Sequence, residues 1–200
     1  MNYQDYKISR NLAWEILLKE EVNTLPVSLL ALCRQMEIAV GYYEPEDNSD
    51  GKSTIIDNHP VILVSSLCGR PRQRFTVAHE LGHILLGHVG MYQLVNREPS
   101  PTDNPVEQAA NVFAARLLAP ACVLWGCGVR SAEDIMRLCD ISRQSAEYRW
   151  ARMQELYTRG KFLTHPLEQA VYRQFADYIR AHKLWITVLG FRHLPNHLPQ

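Results

Sequence analysis

The stretch Arg72-Gln-Arg-Phe-Thr-Val-Ala-His-Glu-Leu-Gly-His-Ile-Leu-Leu-Gly-His88 holds the pattern around which the chain is organised. His79 and His83 are four residues apart, so on a helix both imidazoles lie on one face, one turn apart. Glu80 follows the first histidine and is near enough to reach a water molecule on a metal held by the two rings. This HExxH spacing predicts a zinc site with Glu80 as general base.

The residues around this pair predict a buried helix. Most positions from Phe75 to Leu86 are apolar, Pro71 suits the first turn of a helix, and Gly87 suits its end. Burying imidazoles and a carboxylate without polar partners costs free energy, and a bound metal ion would supply such a partner. The alternative is a core helix whose histidines hydrogen-bond to the backbone, since a bare HExxH also arises by chance. The apolar context favours the metal site.

The histidine pair still needs a third ligand, because catalytic zinc sites usually have three protein ligands plus water. One common pattern places a histidine six residues after His83, but that position is Val89. His88 is one residue short, and on a continued helix it would point ~180° away from His79 at ~100° per residue. We therefore expect the third ligand to lie elsewhere.

The segment from Glu107 to Pro120 offers a carboxylate on a second predicted helix. Glu107 and Asn111 share one helical face with two alanines, which would let this helix come close to the first. Glu107 would complete a His-His-Glu set, and Asn111 could hydrogen-bond to one of the ligands. Taken alone, Glu107 would be interpreted as an exposed carboxylate at a helix start, where the helix dipole favours it. Beside the histidine pair we favour the ligand.

Together the two blocks resemble a known family. The pieces are Arg74-Phe-Thr-Val-Ala-His-Glu-Leu-Gly-His83 with His88, and Glu107-x-x-Ala-Asn-x-Phe-Ala-Ala-x-Leu-Leu-x-Pro120. Their order and spacing are similar to those of the ImmA/IrrE metallo-endopeptidases, and the resemblance covers roughly residues 8 to 155.

The resemblance implies a Zn²⁺ ion held by His79, His83 and Glu107, with Glu80 as the catalytic base. It also implies a protein partner that is cleaved, a helix-turn-helix repressor of a phage or mobile element, so that silenced genes are released. One branch of the family carries a sensory domain after the peptidase part, and we do not expect one in a chain of this length. An alternative function is a non-catalytic zinc-containing module that sequesters a repressor, although the intact Glu80 favours the enzyme.

The order of the predicted elements indicates an α+β fold. Apolar spacing predicts two amphipathic helices and three strands, at residues 5–21, 25–36, 38–43, 53–57 and 61–64. The last two strands, separated by Asn58-His59-Pro60, form a hairpin in a small, mostly antiparallel sheet packed on helices. The HExxH helix and the glutamate helix follow. We expect Val61–Val64 or a neighbouring strand to bind an extended peptide by strand addition.

The remainder of the chain is predicted to be a helical C-terminal region. We divide the chain into a metallopeptidase core at 1–125 and this region at 126–200, packed on the core. Its helices are predicted at 131–139, 142–157 and 166–183, with Ser131 and Ser142 as N-caps. The first two have helix-turn-helix spacing, which leaves DNA binding as a further alternative. The proline-rich segment 98–105 is predicted to be a loop, and the tail after Leu184 to lack a stable element.

Composition narrows the classes of partner and compartment. The 21 basic and 21 acidic residues balance, which argues against a nucleic-acid or membrane-surface partner. Five scattered cysteines without a CxxC pair indicate reduced thiols, and no signal or membrane-spanning segment is apparent, so we expect a cytoplasmic protein. The residue that stabilises the oxyanion is left open among His88, Tyr92 and Arg116.

Overall fold

The computed structural model describes residues 2–46, 49–89 and 104–183. Helices and strands follow one another within these residues as α1 Tyr3–Lys19, α2 Leu29–Gln35, β1 Ala39–Tyr43, β2 Gly51–Ile56, β3 His59–Ser65, α3 Arg70–Leu85, α4 Pro105–Leu118, α5 Ala121–Gly126, α6 Ala132–Cys139, α7 Arg143–Arg159, α8 Pro166–Gln174 and α9 Ala176–Ala181. A three-stranded sheet and a helical C-terminal part confirm the α+β class.

The sheet is mixed, with the strand order β1-β3-β2. The β2–β3 ladder is antiparallel, as expected, but β1 pairs with β3 in parallel, from Ala39 opposite Val61 to Tyr43 opposite Ser65. Only one of the two ladders is therefore antiparallel. The prediction that Val61–Val64 serves as an edge is wrong, because β3 is the central strand. The neighbouring strand β2 is an edge of the sheet within the described residues.

The β2–β3 hairpin is built by a two-residue turn, Asp57-Asn58. Both residues have positive φ angles, 49° and 63°, as in the type I′ turn that matches the twist of the flanking strands. Asparagine and aspartate tolerate this left-handed conformation better than most residues. The turn lies one residue earlier than the Asn58-His59-Pro60 segment expected from sequence, and Pro60 lies inside β3.

The metal helix α3 lies at the centre of the molecule, between the sheet and α4. Its inner positions Val77, Ala78 and Leu81 are buried in a hydrophobic core that includes Ile62 and Val64 of β3. Helix α4 is more apolar than α3, and the stretch Pro105–Gly126 has the length and composition of a membrane span. Most of that stretch is buried against other helices of this chain, so its apolar character is explained by the core.

Helices α3 and α4 approach each other closely at Gly82. A Cβ atom at this position would lie 2.9 Å from the Phe113 ring and 3.3 Å from the Cα of Ala110. Both residues lie on α4, so Gly82 sets how near the two helices can pack. The alanines expected to permit close packing therefore meet a glycine on the partner helix.

We expect Gly82→Val to destabilise the protein by about 1–3 kcal/mol, because overpacking at this crossing forces α3 and α4 apart. Urea denaturation measures the effect. Ala151→Val, which adds methyl groups at an exposed position of α7, is the control and should cost only a few tenths of a kcal/mol. Equal losses in the two variants would show that the crossing tolerates extra volume.

Helices α6 and α7 follow the expected bounds, with Ser131 and Ser142 as N-caps. Arg74 of α3 connects this pair to the metal helix. Its guanidinium donates to the backbone oxygens of Asp140 (3.0 Å), Cys139 (3.3 Å) and Val27 (3.1 Å). The end of α6 is thereby held against α3.

The small basic cluster before the metal helix is paired with carboxylates. Arg70 forms an ion pair with Asp140 at 2.9 Å, and Arg72 binds Asp50 through two nitrogen–oxygen contacts. Arg74 also lies 3.5 Å from the Asp140 carboxylate. These arginines thus have intramolecular partners.

The last part of the described chain differs from the expected single helix. Helix α8 ends at Gln174 and α9 begins at Ala176, with Phe175 between them fully buried. Helix α8 contacts α1 and α5, which places it against the first part of the chain. The division at residue 125/126 stays a prediction. The tail after Leu184 and most of the loop predicted at 98–105 lie outside the described residues.

Candidate metal centre

The three predicted ligands meet at one point between α3 and α4. The Nε2 atoms of His79 and His83 are 3.0 Å apart, and the Glu107 carboxylate lies 3.2 Å from the first and 3.5 Å from the second. They form the one group of three or more His, Cys, Asp or Glu donors found in the described residues. Helix spacing within α3 supplies the histidines, and the close packing of α4 supplies the carboxylate.

The donor atoms fit a tetrahedral metal ion. Neighbouring vertices of a tetrahedron with ~2.0–2.1 Å metal–ligand bonds are ~3.3 Å apart, close to the three separations observed. Two imidazole nitrogens and a carboxylate oxygen are also a zinc donor set. Acceptor atoms packed this closely repel one another unless a cation or added protons lie between them, so the cluster suits a bound cation.

The histidine His79 is oriented by Asn111 of α4. Its Nδ1 lies 2.9 Å from the Asn111 side-chain oxygen. An amide oxygen only accepts hydrogen bonds, so Nδ1 carries a proton and Nε2 is the nitrogen available to a cation. The contact thus directs Nε2 of His79 to the other donors, which is the role of a residue that supports a metal ligand.

The histidine His83 is oriented by His88. Helix α3 ends at Leu85, and Gly87, with φ of 75°, turns the chain back so that the His88 ring reaches His83. Their Nδ1 atoms are 3.0 Å apart. Burial lowers the pKa of His88, which favours its neutral form and lets its Nδ1 accept from His83. The expectation that His88 would point away assumed a continued helix, and the helix stops first.

The carboxylate of Glu107 carries a negative charge in this environment. Its contacts with His79 and His83 hold the pKa of the carboxyl well below its usual range, against the opposing effect of burial. The group is nevertheless 38% exposed, so the cluster opens to solvent on the α4 side. A ligand that stays ionised at neutral pH is available to a cation without first losing a proton.

The predicted base, Glu80, faces the sheet, about 100° around α3 from His79. It is 8% exposed, and its Oε2 accepts a hydrogen bond of 2.6 Å from the hydroxyl of Ser53 in β2. Sequence reasoning did not identify Ser53, because no motif links position 53 to position 80. Only the packing of β2 on α3 brings the two together.

Strand β2 can touch α3 because Gly51 leaves room between them. A Cβ atom at Gly51 would lie 2.5 Å from Thr76 Cγ2 on α3 and 2.7 Å from the backbone oxygen of Leu63. Gly51 and Ser53 are two residues apart in a strand, so both face α3. The glycine thereby allows the hydroxyl to approach the carboxylate of Glu80.

The structure distinguishes among the three residues considered for oxyanion stabilisation, because each has a different location. Arg116 lies on the far side of α4 and donates to the Tyr6 hydroxyl of α1 at 3.2 Å, so that assignment is wrong. The reason is helical geometry, since nine residues from Glu107 rotate a side chain by ~900°, or two and a half turns, which leaves it on the opposite face. His88 contacts His83 directly. Tyr92 lies outside the described residues.

The cysteines do not form a second metal group within the described part of the chain. Cys33, Cys122, Cys127 and Cys139 are buried free thiols, and Cys68 is partly exposed. Burial raises the pKa of Cys127 to about 11 and that of Cys139 to about 12. They are therefore protonated core residues at neutral pH.

Removing the partner of His79 tests this arrangement. We expect Asn111→Ala to lower zinc affinity by ~10–100-fold, because His79 loses the acceptor that fixes its tautomer. Competition with a chelator measures the affinity. Asn111→Asp, which keeps an acceptor oxygen at the same place, should bind zinc at least as tightly as the parent. An Asn111→Ala variant with unchanged affinity would remove Asn111 from the site.

Comparison with known proteins identifies the family of this chain. The model of the IrrE N-terminal-like domain, Peptidase_M78, matches residues 33–151, which contain the three predicted ligands. The chain belongs to this family. The match covers the sheet, α3 and α4, and ends within α7. It therefore confirms the resemblance to ImmA/IrrE proteins and makes this chain a member of a metallopeptidase family.

Two curated relatives share the match. The radiation response metalloprotease IrrE of Deinococcus radiodurans is 34% identical over 99 residues, which are 45% of this chain and 30% of that protein. The protein of the same name from Deinococcus deserti is 33% identical over 117 residues, which are 54% of this chain and 37% of that protein. The aligned part thus spans about a third of each relative.

One solved structure aligns with part of this chain. A transcriptional regulator of Mycobacterium tuberculosis aligns with 70% of this chain and 46% of its own chain, at 18% identity and a TM-score of 0.48.

Proposed function

We propose that this peptidase-family chain is a zinc-dependent endopeptidase that cleaves a specific protein. The observation that carries the proposal is a buried carboxylate, Glu80, on the residue that follows His79, one of the three converging donors. A module that only binds zinc has no need of a base at that place. Membership of a metallopeptidase family and the fit of the donor set to zinc support the same reading.

The roles of the residues follow from their chemistry. His79, His83 and Glu107 would hold the metal, with Asn111 and His88 fixing the two rings. When bound, zinc lowers the pKa of water and polarises the scissile carbonyl. Glu80 accepts the proton as water attacks the carbonyl and then delivers it to the leaving amine.

The open edge of β2 suits an extended peptide substrate. The two residues that flank a two-residue hairpin turn form both backbone hydrogen bonds with each other, and hydrogen-bonded pairs then alternate with non-hydrogen-bonded pairs along the ladder. Ile56 and His59 are the flanking pair, so Ile55 and Ser53 belong to non-hydrogen-bonded pairs. Their backbone N–H and C=O groups therefore point away from β3, to the open edge. Pro60 fits this register, because it lies opposite Ile55 and has no N–H to donate. A substrate strand can therefore pair beside Glu80.

For the substrate we propose a helix-turn-helix repressor encoded near this protein, as the ImmA/IrrE resemblance implies. Selectivity would come from docking on the helical C-terminal part together with strand addition at β2. We also propose that the protein is cytoplasmic and that it contacts neither nucleic acid nor membrane directly. Balanced charge and the paired arginines before α3 support the absence of a nucleic-acid site.

The test is to mix the zinc-loaded protein with the repressor encoded beside it and, separately, with casein. We expect cleavage of the repressor at one or two bonds, read by mass spectrometry, with casein largely spared. Rapid general digestion of casein would contradict selectivity. Binding of the repressor by the zinc-loaded protein without cleavage would contradict the enzyme and favour a sequestering module.

A further inference from the structure

The contact between Ser53 and Glu80 joins the open strand to the base. The hydroxyl of Ser53 donates to Glu80 Oε2 at 2.6 Å, which is at the short end of the range for hydrogen bonds between oxygen atoms. That bond occupies Oε2 and leaves Oε1 as the oxygen that can face a water molecule. Glu80 is 8% exposed, so its carboxylate is shielded from most of the solvent that would otherwise solvate it.

A general base acts only when its oxygen is held in the reactive position, within ~0.5 Å and ~10–20°. Glu80 carries its carboxylate on a side chain with several rotatable bonds, so its backbone alone does not fix the carboxylate. The hydroxyl supplies a fixed point from a different element, the strand β2. Its own position is set by the β2–β3 ladder, in which Ser53 lies opposite Ile62.

We infer that Ser53 is a positioning residue, which holds Glu80 in its reactive orientation and couples that orientation to peptide binding at the β2 edge. The inference rests on the proposed peptidase function. Ser53 belongs to a pair that is not hydrogen-bonded within the hairpin, so its backbone N–H and C=O face the open edge while its hydroxyl faces α3. A peptide that pairs with β2 therefore binds the residue that holds the base.

The kinetic test compares three variants of the zinc-loaded full chain. We expect Ser53→Ala to lower kcat by ~10–100-fold with KM changed less than ~3-fold, because backbone pairing persists while the base loses its anchor. Ser53→Thr, which restores a hydroxyl, should recover most of the loss. Ser66→Ala, the same change at an exposed position outside β2, should stay within ~2-fold of the parent. A Ser53→Ala enzyme with parental kcat, or a Ser53→Thr enzyme as poor as Ser53→Ala, would overturn the inference.

A second measurement does not depend on cleavage. In the zinc-loaded full chain we expect Ser53→Ala to lower Tm by about 3–8 °C, because a buried carboxylate loses its donor. In a Glu80→Ala background the same change should lower Tm by less than about 1 °C, since the partner is already gone. Equal shifts in the two backgrounds would overturn the contact itself. If the parent protein cleaves no substrate, the proposed function fails and this cycle still decides the role of Ser53.

Discussion

Replacing Glu80 by glutamine is expected to leave the fold and the bound zinc in place and to lower cleavage by ~10²–10⁴-fold, the usual cost of losing a general base. Glu80 is not one of the three converging donors, so metal content should not change. The glutamine oxygen can still accept from Ser53, but an amide cannot take the proton from water. Metal analysis, circular dichroism and kcat on the repressor measure the three quantities.

The matched control for this variant is Glu15→Gln, an equal change at an exposed position of α1. It should cleave at the parental rate. If Glu80→Gln cleaves as fast as the control, Glu80 has no part in the reaction. If it loses zinc as well as activity, its effect is on metal binding, and the separation of base from ligands is wrong.

Removing a ligand is expected to abolish stoichiometric zinc binding. His79→Ala and Glu107→Ala should each weaken zinc by more than ~100-fold, beyond the ~10–100-fold that loss of a supporting residue costs. Each of these groups contributes a donor to a cluster in which the two histidine Nε2 atoms are 3.0 Å apart and the Glu107 carboxylate contacts them at 3.2 and 3.5 Å. Zinc titration against a chromogenic chelator gives the affinities.

Exposed residues of the same types provide the controls for the ligand variants. His59→Ala in the hairpin and Glu15→Ala in α1 should bind one zinc ion as the parent does. Because the ligands come from α3 and α4, zinc that binds only the folded chain should also raise Tm in the parent and not in Glu107→Ala. Full zinc affinity in Glu107→Ala would show that the third ligand lies elsewhere.

Local sequence rules were sufficient for the metal helix and its partner. The i, i+4 spacing of His79 and His83 places both rings on one face in any helix, whatever surrounds it. The face shared by Glu107 and Asn111 on α4 follows from the same periodicity, and both side chains contact His79. The capping serines Ser131 and Ser142 likewise predicted where α6 and α7 begin.

Features that depend on long-range packing could not be predicted in this way. The Asp57-Asn58 turn specifies the β2–β3 pairing locally, but no local signal states that β1 joins β3 in parallel, which makes β3 central. Arg116 was one of three candidates that the sequence could not separate, and its direction is set by contact with α1. Ser53 lies 27 residues before Glu80, and its role depends on tertiary structure alone.

The close contact at Gly51 has a consequence for sequence variation. Its φ is not among the positive values of this backbone, so the position needs a glycine for space and not for conformation. In a saturation-mutagenesis library selected for cleavage, alanine and larger residues at position 51 should be depleted almost as strongly as substitutions of His79. Asn58, two residues after β2, should accept glycine and aspartate freely. Gly51, which in sequence resembles an ordinary loop glycine, would thus tolerate substitution as poorly as the catalytic residues.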